Sequence, residues 1–403
     1  MTYKNFTTSN GFHTIALVRK TVVTLRDLCC GNGQPARNEL LEALSRDGCC
    51  FVESDDSSRV RQTVLSECSS FFGSASHQER SQLTVYPCGL LRGYFPPLEA
   101  NSRRLERRKE RLVFGDKNNL FPGSCPLLRA AYSDFYTNHI KRIADVVHSS
   151  VYEYIREIDA YWAANFQRFF LDPSSGELEP SVLAYAMHYP PLEDPEEFLD
   201  SDDTVTISEP HVDMTTFTIL PRGTSGATKM FDTSGKAVPI YDSSIPPDAI
   251  VVFLGKTLER LLEDIPFQNK DARYPFKALK HTVRIAPEEV VKGRDVVGYF
   301  FNGNVERRYL TVASAEEFGS MFIDRRPVRL KQLEPLSGAE LTVNDRQYLT
   351  EQLFFSDASP NSASPPVTLQ QFRSVNQAVQ RGGLSALSSG RAPSTPRSSS
   401  GRW

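Results

Sequence analysis

Two side chains that can bind a metal ion stand two residues apart, at His211 and Asp213 in the segment EPHVDMTTF. The preceding residues have the composition of a strand, and residues i and i+2 of an extended segment point to the same side. One imidazole and one carboxylate therefore converge at one spot. They would supply two of the three ligands of a 2-His-1-carboxylate triad, which binds Fe(II) and leaves positions open for other ligands.

The third ligand has to come from a later segment, and His281 in KALKHTVRIA is the only histidine after His211. We expect it on a later strand, on the opposite side of a β-barrel. An isolated histidine can also be a core residue whose ring bonds to the backbone. Because His211 and Asp213 already supply two possible ligands, we favour a metal-binding role for His281. These three residues are therefore the predicted metal ligands and the predicted catalytic centre.

An arginine that could bind a second ligand opens the strand-like run RDVVGYFFN, at Arg294. A keto acid such as 2-oxoglutarate chelates iron through one end, and its distal carboxylate then needs a charged, bidentate partner, which arginine provides. We expect Arg294 on the strand next to His281, in that role. The alternative is a solvated arginine at the end of a loop.

The periodicity of apolar residues predicts helices in the first part of the chain and short strands after Pro180. The predicted helices are Arg37–Ser45, Arg59–Phe72 and the long segment Leu127–Ile155, with a strand at Cys49–Val52 between the first two. The predicted later strands are Leu183–Tyr189, Thr204–Ile207, Thr216–Leu220, Ala249–Leu254, Leu279–Ile285 and Val296–Phe301. Many short strands with Gly and Pro between them indicate a sandwich or barrel. We therefore predict a mixed α/β (α+β) fold, with a jelly-roll core braced by N-terminal helices.

Several motifs occur in the order found in one enzyme family. In this chain they read VTLRDLCC, RDGCCFVE, FFGSASHQERSQL, RGYFPP, RKERLVFGD, MHYPP, HVDMTTFTIL, DAIVVFLGKTLERL, KALKHTVRI and RDVVGYFFNGN. The chain from about Val23 to Asn304 resembles the isopenicillin N synthase-like branch of the 2-oxoglutarate/Fe(II)-dependent dioxygenase superfamily. In that family the corresponding motifs include H-T-D-x-x-x-L-T-L-L, K-S-x-x-H-R-V and R-Y-S-x-x-F-F.

This resemblance implies a double-stranded β-helix fold and an enzyme that hydroxylates or desaturates a small organic substrate with Fe(II), 2-oxoglutarate and O2, releasing succinate and CO2. It implies His211, Asp213 and His281 as iron ligands, Arg294 as the partner of the distal carboxylate, and Tyr189 as a second contact to 2-oxoglutarate. The family usually has Ser and Asn at two positions where this chain has Val296 and Met187. Arg284 is an alternative to Arg294.

Two further interpretations stay open at this point. One is an iron oxidase that works without 2-oxoglutarate, as the namesake of the branch does, and the altered co-substrate motif keeps it under consideration. The other is a binding module on the same fold that has lost catalytic activity. Against it, an inactive site has no chemical reason to keep all three metal-binding side chains. Candidate pocket-lining residues are Phe217, Met230, Phe231 and Phe300, for each of which core packing is the alternative.

Composition bears on partners and location. The 403 residues carry a net charge of −3, which offers no basic field for nucleic acid or anionic lipid. The basic run RRLERRKER is interrupted by two glutamates and lacks aromatic residues, so we expect a solvated face there. The seven cysteines form no C-x-x-C motif, which favours reduced, structural thiols. No signal peptide or membrane span is recognisable, and we expect a cytoplasmic monomer acting on a small molecule without nucleic-acid or membrane partners.

The predicted organisation has four parts. Residues 1–170 form an N-terminal helical and mixed region, and residues 171–335 form the jelly-roll core. A C-terminal helical extension follows at 336–373, with a helix at Asn344–Phe355. Residues 374–403, rich in Ser, Pro, Gly and Arg, have too little apolar surface to offset the entropy of ordering and are predicted to be disordered.

Overall fold

The structure is a computed structural model that describes residues 20–30, 32–84, 92–97, 99–116, 119–170, 181–213, 215–232, 235–263 and 276–302. The predicted helix at Asn344–Phe355, the C-terminal extension and the Ser/Arg-rich tail lie outside these residues. None of the described helices is both long and apolar enough to span a membrane.

The described strands form two sheets. They are β1 (Val22–Thr24), β2 (Cys49–Glu53), β3 (Gly93–Phe95), β4 (Glu110–Phe114), β5 (Ser181–Tyr189), β6 (Val205–His211), β7 (Phe217–Leu220), β8 (Thr228–Phe231), β9 (Ala237–Pro239), β10 (Ala249–Leu254), β11 (His281–Ile285) and β12 (Arg294–Asn302). The large sheet has the order β1-β2-β10-β7-β12-β5-β4-β3, and the small sheet has the order β6-β11-β8-β9. From β5 onward the chain therefore alternates between the sheets, except that β8 and β9 form a hairpin within the small one.

Eight of the nine described helices contribute buried residues to the cluster on one face of the large sheet, and the last of them contributes Val290 to the cluster between the two sheets. The described helices are α1 (Leu25–Cys29), α2 (Gln34–Asp47), α3 (Ser57–Ser74), α4 (His77–Leu83), α5 (Leu128–Phe135), α6 (Lys141–Ile158), α7 (Ala160–Phe170), α8 (Lys256–Glu263) and α9 (Pro287–Val290). Helix α2 ends at Gly48, whose φ of 71° is the left-handed conformation that closes helices and favours glycine. A π-helical turn, Tyr136–Ile140, joins α5 to α6, so that the predicted long helix is present as one continuous helical segment.

Apolar residues pack on both faces of the large sheet, because side chains alternate along each strand. Val297, Tyr299 and Phe301 of β12 belong to the cluster that contains the helices. Val296 of the same strand belongs to a second cluster between the two sheets, with residues such as Met230 from the small sheet. The inner face of β12 therefore borders the space between the two sheets, where the candidate functional site lies.

The mixed α/β class with large antiparallel sheets is confirmed, and all six strands predicted after Pro180 are present within a few residues. Strands β3, β4, β8 and β9 were not predicted. The basic run does not form the expected solvated face: Arg103 and Arg104 are exposed, but Leu105 and Arg111 are buried and the residues between are half-buried. Its 3-10 helix, Leu105–Arg108, packs against β5 and β6 instead. Of the described cysteines, four are buried and two are exposed, all with free thiols.

Candidate metal centre

The two predicted histidine ligands face each other across neighbouring strands. His211 is the last residue of β6 and His281 is the first of β11, and the two are paired in the antiparallel register. Their ring centroids lie 4.3 Å apart. The expectation that His281 lies on the opposite side of the barrel is therefore wrong. A direct cross-strand pair brings both imidazoles together because paired residues project to the same face of a sheet.

Asp213 completes a cluster of three possible ligands. It follows the end of β6 by two residues, and its Oδ1 lies 3.8 Å from Nε2 of His211 and 3.8 Å from Nε2 of His281. One ligand atom from each residue lies within 4.8 Å of the other two. Ligands that bind one first-row metal ion at about 2.1 Å in neighbouring positions stand about 3 Å apart, so small side-chain movements suffice to bring all three onto one ion.

Backbone carbonyls fix the tautomer of both histidines. Nδ1 of His211 lies 2.7 Å from the carbonyl oxygen of Glu209, and Nδ1 of His281 lies 3.2 Å from that of Leu279. A carbonyl oxygen only accepts, so Nδ1 carries the proton in each ring. The Nε2 lone pairs are therefore free to face Asp213, as metal binding requires.

The carboxylate of Asp213 is oriented by a buried threonine. The hydroxyl of Thr218 donates to Asp213 Oδ2 over 2.7 Å and lies 3.1 Å from the hydroxyl of Thr215. The amide of Lys256 donates to the Asp213 carbonyl over 2.7 Å. Gly255 permits this close packing, since a Cβ there would lie 2.2 Å from the Thr215 carbonyl oxygen. Oδ2 is thus occupied within the protein, and Oδ1 is left to face the histidines.

Burial keeps His281 neutral. Its side chain is 5% exposed, and the Phe253 ring lies 4.9 Å away. Burial lowers the pKa of His281 from its usual value, and the nearby Asp213 only partly opposes this. A neutral imidazole is the form that binds metal.

Arg294 lies inside the molecule, on the opposite wall from the histidines. It opens β12, which runs between β7 and β5 in the large sheet, whereas His281 lies in the small sheet. The expectation that the two residues occupy neighbouring strands is therefore wrong. Arg294 instead reaches across the interior, and its Nη2 donates to the hydroxyl of Thr228 in β8 over 3.0 Å.

The guanidinium of Arg294 is a buried charge without an acidic partner. The residue is 4% exposed, it forms no ion pair with a carboxylate of the described residues, and its Nε has no acceptor there. Tyr189 is its cross-strand neighbour, with the guanidinium carbon 5.4 Å from the ring centroid. Burial lowers the pKa of Arg294. A buried cation of this kind is costly unless an anion compensates it, so the interior is suited to an anionic ligand.

The other predicted residues take different places. Arg284, the alternative to Arg294, donates to Asp202 over 2.7 Å and is thus paired with a surface acid. Val296 and Met187 are cross-strand partners beside Arg294 and Tyr189, and they give this part of the interior wall an apolar surface.

Of the four candidate pocket residues, Met230 is fully buried and is the cross-strand partner of His281. Phe300 packs against Tyr185 with centroids 5.2 Å apart. Phe217 stacks on Phe301 in the cluster under the helices and is a core residue. Phe231 alternates with Met230 along β8 and therefore faces away from the interior.

Two threonines of the site, Thr218 and Thr228, were not predicted from the sequence. Thr218 could have been suspected, because it lies in the segment directly after the His-x-Asp motif. Thr228 had no such signal. It lies in TKMF, a four-residue strand that was not predicted.

Solved structures of the same fold have low sequence identity to this chain. A Caulobacter crescentus protein assigned to the 2OG-Fe(II) oxygenase family aligns with a TM-score of 0.54 and 18% identity, over 83% of this chain and 98% of that one. Full-length Neurospora crassa T7H, in complex with alpha-KG and 5-formyluracil, aligns with a TM-score of 0.53 and 18% identity, over 72% of this chain and 87% of that one. A Shewanella oneidensis protein assigned as an oxygenase aligns with a TM-score of 0.51 and 17% identity, over 71% of this chain and 91% of that one.

No protein-family model and no curated protein sequence matches the chain. The structural likeness nevertheless establishes that the chain has the fold of the 2OG-Fe(II) oxygenases. The resemblance drawn from the sequence is confirmed at the level of the fold.

Proposed function

We propose that the protein is a non-haem Fe(II), 2-oxoglutarate-dependent dioxygenase that hydroxylates or desaturates a small organic substrate. The observation that carries this proposal is the pairing of two features across one interior. Three ligand atoms converge at His211, Asp213 and His281, and the guanidinium of Arg294, which has no carboxylate partner among the described residues, lies on the facing wall. On this proposal the eight strands from β5 to β12 form a double-stranded β-helix, the jelly roll predicted from the sequence.

The donor set fits Fe(II) better than a structural zinc ion. Two neutral imidazoles and one carboxylate are the ligands of the facial triad, which leaves three positions on iron for a chelating co-substrate and O2. Structural zinc sites are typically closed by four protein ligands, often cysteines. The described residues place only three possible ligands at this centre.

Each residue has a defined task on this proposal. His211 and His281 present Nε2 to the iron, and Asp213 presents Oδ1. Arg294 binds the distal carboxylate of 2-oxoglutarate, and Tyr189 bounds the same end of the ligand. Together, the iron and 2-oxoglutarate would supply the activation of O2, coupled to conversion of the keto acid to succinate and CO2. The protein's own contribution is to orient the ligands and to exclude water.

An iron oxidase without 2-oxoglutarate is the second candidate. It is favoured by Val296 and Met187, which place apolar side chains next to Arg294. The guanidinium of Arg294 argues against the oxidase. A buried arginine without an acidic partner is costly, and a site that binds no anion does not compensate that cost. A silent binding module is disfavoured by the hydrogen bonds that orient all three metal ligands.

The substrate is proposed to be a small organic molecule that reaches the metal from the side of His211, whose side chain is 40% exposed. Neurospora crassa T7H, which shares the fold, was solved with 5-formyluracil and alpha-KG. We further propose a cytoplasmic monomer without nucleic-acid or membrane partners, which accords with the net charge of −3.

The metal proposal is tested by anaerobic titration with Fe(II). The wild-type protein should bind one equivalent, and His281→Ala should lose stoichiometric binding while its melting temperature stays close to that of the wild type. His77→Ala, which changes an exposed histidine on α4, is the matched control and should bind normally. Full iron occupancy in His281→Ala would contradict the assignment.

The co-substrate proposal is tested on the same anaerobic Fe(II) protein. Added 2-oxoglutarate should produce the visible charge-transfer band of a chelated keto acid, and admission of O2 should yield succinate. Arg294→Leu should weaken the titration at least tenfold, since a charge-assisted bidentate pair contributes about 1.5–3 kcal/mol. Arg284→Leu is the control and should bind as the wild type does. Absence of the band with iron fully loaded would favour the oxidase.

A further inference from the structure

A hydroxyl group faces Arg294 from the opposite wall of the interior. It belongs to Thr228 in β8, which is 8% exposed and accepts a hydrogen bond from Arg294 Nη2 over 3.0 Å. A hydroxyl can accept and donate at once. Among the described residues, the hydrogen bond from Arg294 is the one that this hydroxyl makes, so its own proton is available to a ligand.

The register of the small sheet fixes the distance between Thr228 and the metal centre. In the pairing of β8 with β11, Met230 lies opposite His281 and Thr228 lies opposite Val283. Thr228 is therefore two residues, or about 7 Å of strand, from the level of the histidine ligand. A five-carbon dicarboxylate that chelates the metal at one end extends over a similar distance, so its distal carboxylate would lie at the level of Thr228 and Arg294.

On the wall that carries Arg294, the neighbouring hydroxyl is that of Tyr189, the cross-strand partner of Arg294. Val296 is the next residue on the inner face of β12, is 2% exposed and cannot donate a hydrogen bond. Met187, its cross-strand partner, cannot donate either. A carboxylate oxygen that Arg294 and Tyr189 do not satisfy would therefore have no further donor at Val296 or Met187, and an unsatisfied oxygen is costly in a buried site.

We propose that Thr228 donates a hydrogen bond to the distal carboxylate of 2-oxoglutarate and is, together with Arg294, the specificity-determining residue for that end of the co-substrate. This inference rests on the proposed function. Arg294 then has two tasks: it binds the carboxylate, and it orients the threonine so that the hydroxyl proton points at the same ligand. Selection of a dicarboxylate over a monocarboxylate keto acid follows from this pair.

Two ligands separate the two ends of the co-substrate site. 2-Oxoglutarate has both a chelating end and a distal carboxylate, whereas pyruvate has the chelating end alone. Each is titrated into anaerobic Fe(II) protein, with the charge-transfer band and calorimetry as readouts. Thr228→Val should weaken 2-oxoglutarate binding about tenfold, because the variant loses one hydrogen bond to a charged group. It should leave pyruvate binding unchanged, because pyruvate has no distal carboxylate.

Two further variants control for a change in packing. Thr228→Ser retains the hydroxyl and should bind 2-oxoglutarate nearly as the wild type does. The double variant Thr228→Val with Val296→Ser returns a hydroxyl to the neighbourhood of Arg294 from the other wall and should regain a large part of the lost affinity. Iron stoichiometry and melting temperature are measured for every variant.

The inference is overturned if Thr228→Val binds 2-oxoglutarate as tightly as the wild type, or if it weakens 2-oxoglutarate and pyruvate by the same factor. These outcomes leave the proposed function intact, because the wild-type protein still binds 2-oxoglutarate. Iron-loaded wild-type protein that binds no 2-oxoglutarate would instead contradict the proposed function, and this inference with it.

Discussion

At the scale of single residues, each candidate ligand has one atom bonded within the protein and one atom facing the centre. The backbone carbonyls of Glu209 and Leu279 fix Nδ1 of the two histidines, and Thr218 fixes Oδ2 of Asp213. The ligand atoms are therefore oriented before an ion arrives. Such outer hydrogen bonds commonly change metal affinity by about 10–100-fold.

We expect Thr218→Val to lower the affinity for Fe(II) about tenfold, because Asp213 loses the donor that orients it and can rotate away from the histidines. The substitution nearly conserves volume, and Thr218 is 1% exposed, so the core stays filled. Thr218→Ser is the matched control and should retain most of the affinity. Competition with a chromophoric chelator measures both. Equal affinity in the valine variant would show that the backbone alone positions Asp213.

Site residues that belong to a spaced motif could be predicted from the sequence, whereas the threonines defined by contacts across the interior could not. His211 and Asp213 share one extended segment, so their convergence follows from strand geometry. His281 and Arg294 were found from their order along the chain, but their positions relative to each other were predicted incorrectly. The packing of the two sheets decides which strands face each other across the interior. The alternation of apolar and polar residues along one strand carries no information about that packing.

At the scale of elements, strand length and edge position decided what could be predicted. Strand β12 has nine residues and was found, and so was the four-residue β7, whose sequence FTIL is typical of strands. Strands β8 and β9 have four and three residues, too few to show a period, and their sequences TKMF and AVP lack that composition. Strand β6 extends through Pro210, beyond its predicted end at Ile207. Proline lacks an amide proton, but β6 is an edge strand of the small sheet, where a missing donor is tolerated.

Helices α6 and α7 meet at a buried histidine. His148 of α6 is 7% exposed, and its ring packs on Phe166 and Phe170 with centroids 5.3 and 4.5 Å away. Nε2 has no hydrogen-bond partner among the described residues. Burial lowers the pKa of His148 to about 4. The folded state therefore keeps this ring neutral at a pH where the unfolded chain is already protonated.

This contact should make the protein sensitive to mild acid. Above pH ~6.5 both states are neutral and His148 has no effect, but between pH ~6.5 and ~4 the unfolded state binds one more proton, so stability falls as pH falls. At pH 5 the loss from this residue amounts to about 2 kcal/mol.

His148→Leu should remove that part of the loss, so that urea denaturation at pH 7.5 and at pH 5 gives a smaller difference than in the wild type. His77→Leu, at an exposed site, serves as the control. If His148→Leu and wild type lose the same stability on acidification, the ring takes up its proton in the folded state.

At the scale of the whole molecule, the N-terminal region and the core share one sheet. Strand β2 pairs with β10, and β4 pairs with β5, so four N-terminal strands flank the four core strands of the large sheet. Side chains join the two regions as well: Ser69 of α3 donates to Asp295 of β12, and the Ser58 amide donates to Asp248 beside β10. We propose that residues 1–170 and 171–335 are parts of one folding unit, although they differ in composition.

A shared sheet predicts a single cooperative unfolding transition for both regions. Neither β10 nor β5 can keep its hydrogen bonds if its N-terminal neighbour unfolds alone, and the cluster under the helices contains residues from both regions. Calorimetry of the metal-free protein should therefore show one peak, with equal calorimetric and van't Hoff enthalpies. Fe(II) at 100 times its dissociation constant should stabilise the folded state by about 2.7 kcal/mol and move the whole peak upward by several degrees. Two resolved peaks, of which only one moves with iron, would show that the N-terminal region unfolds independently of the metal centre.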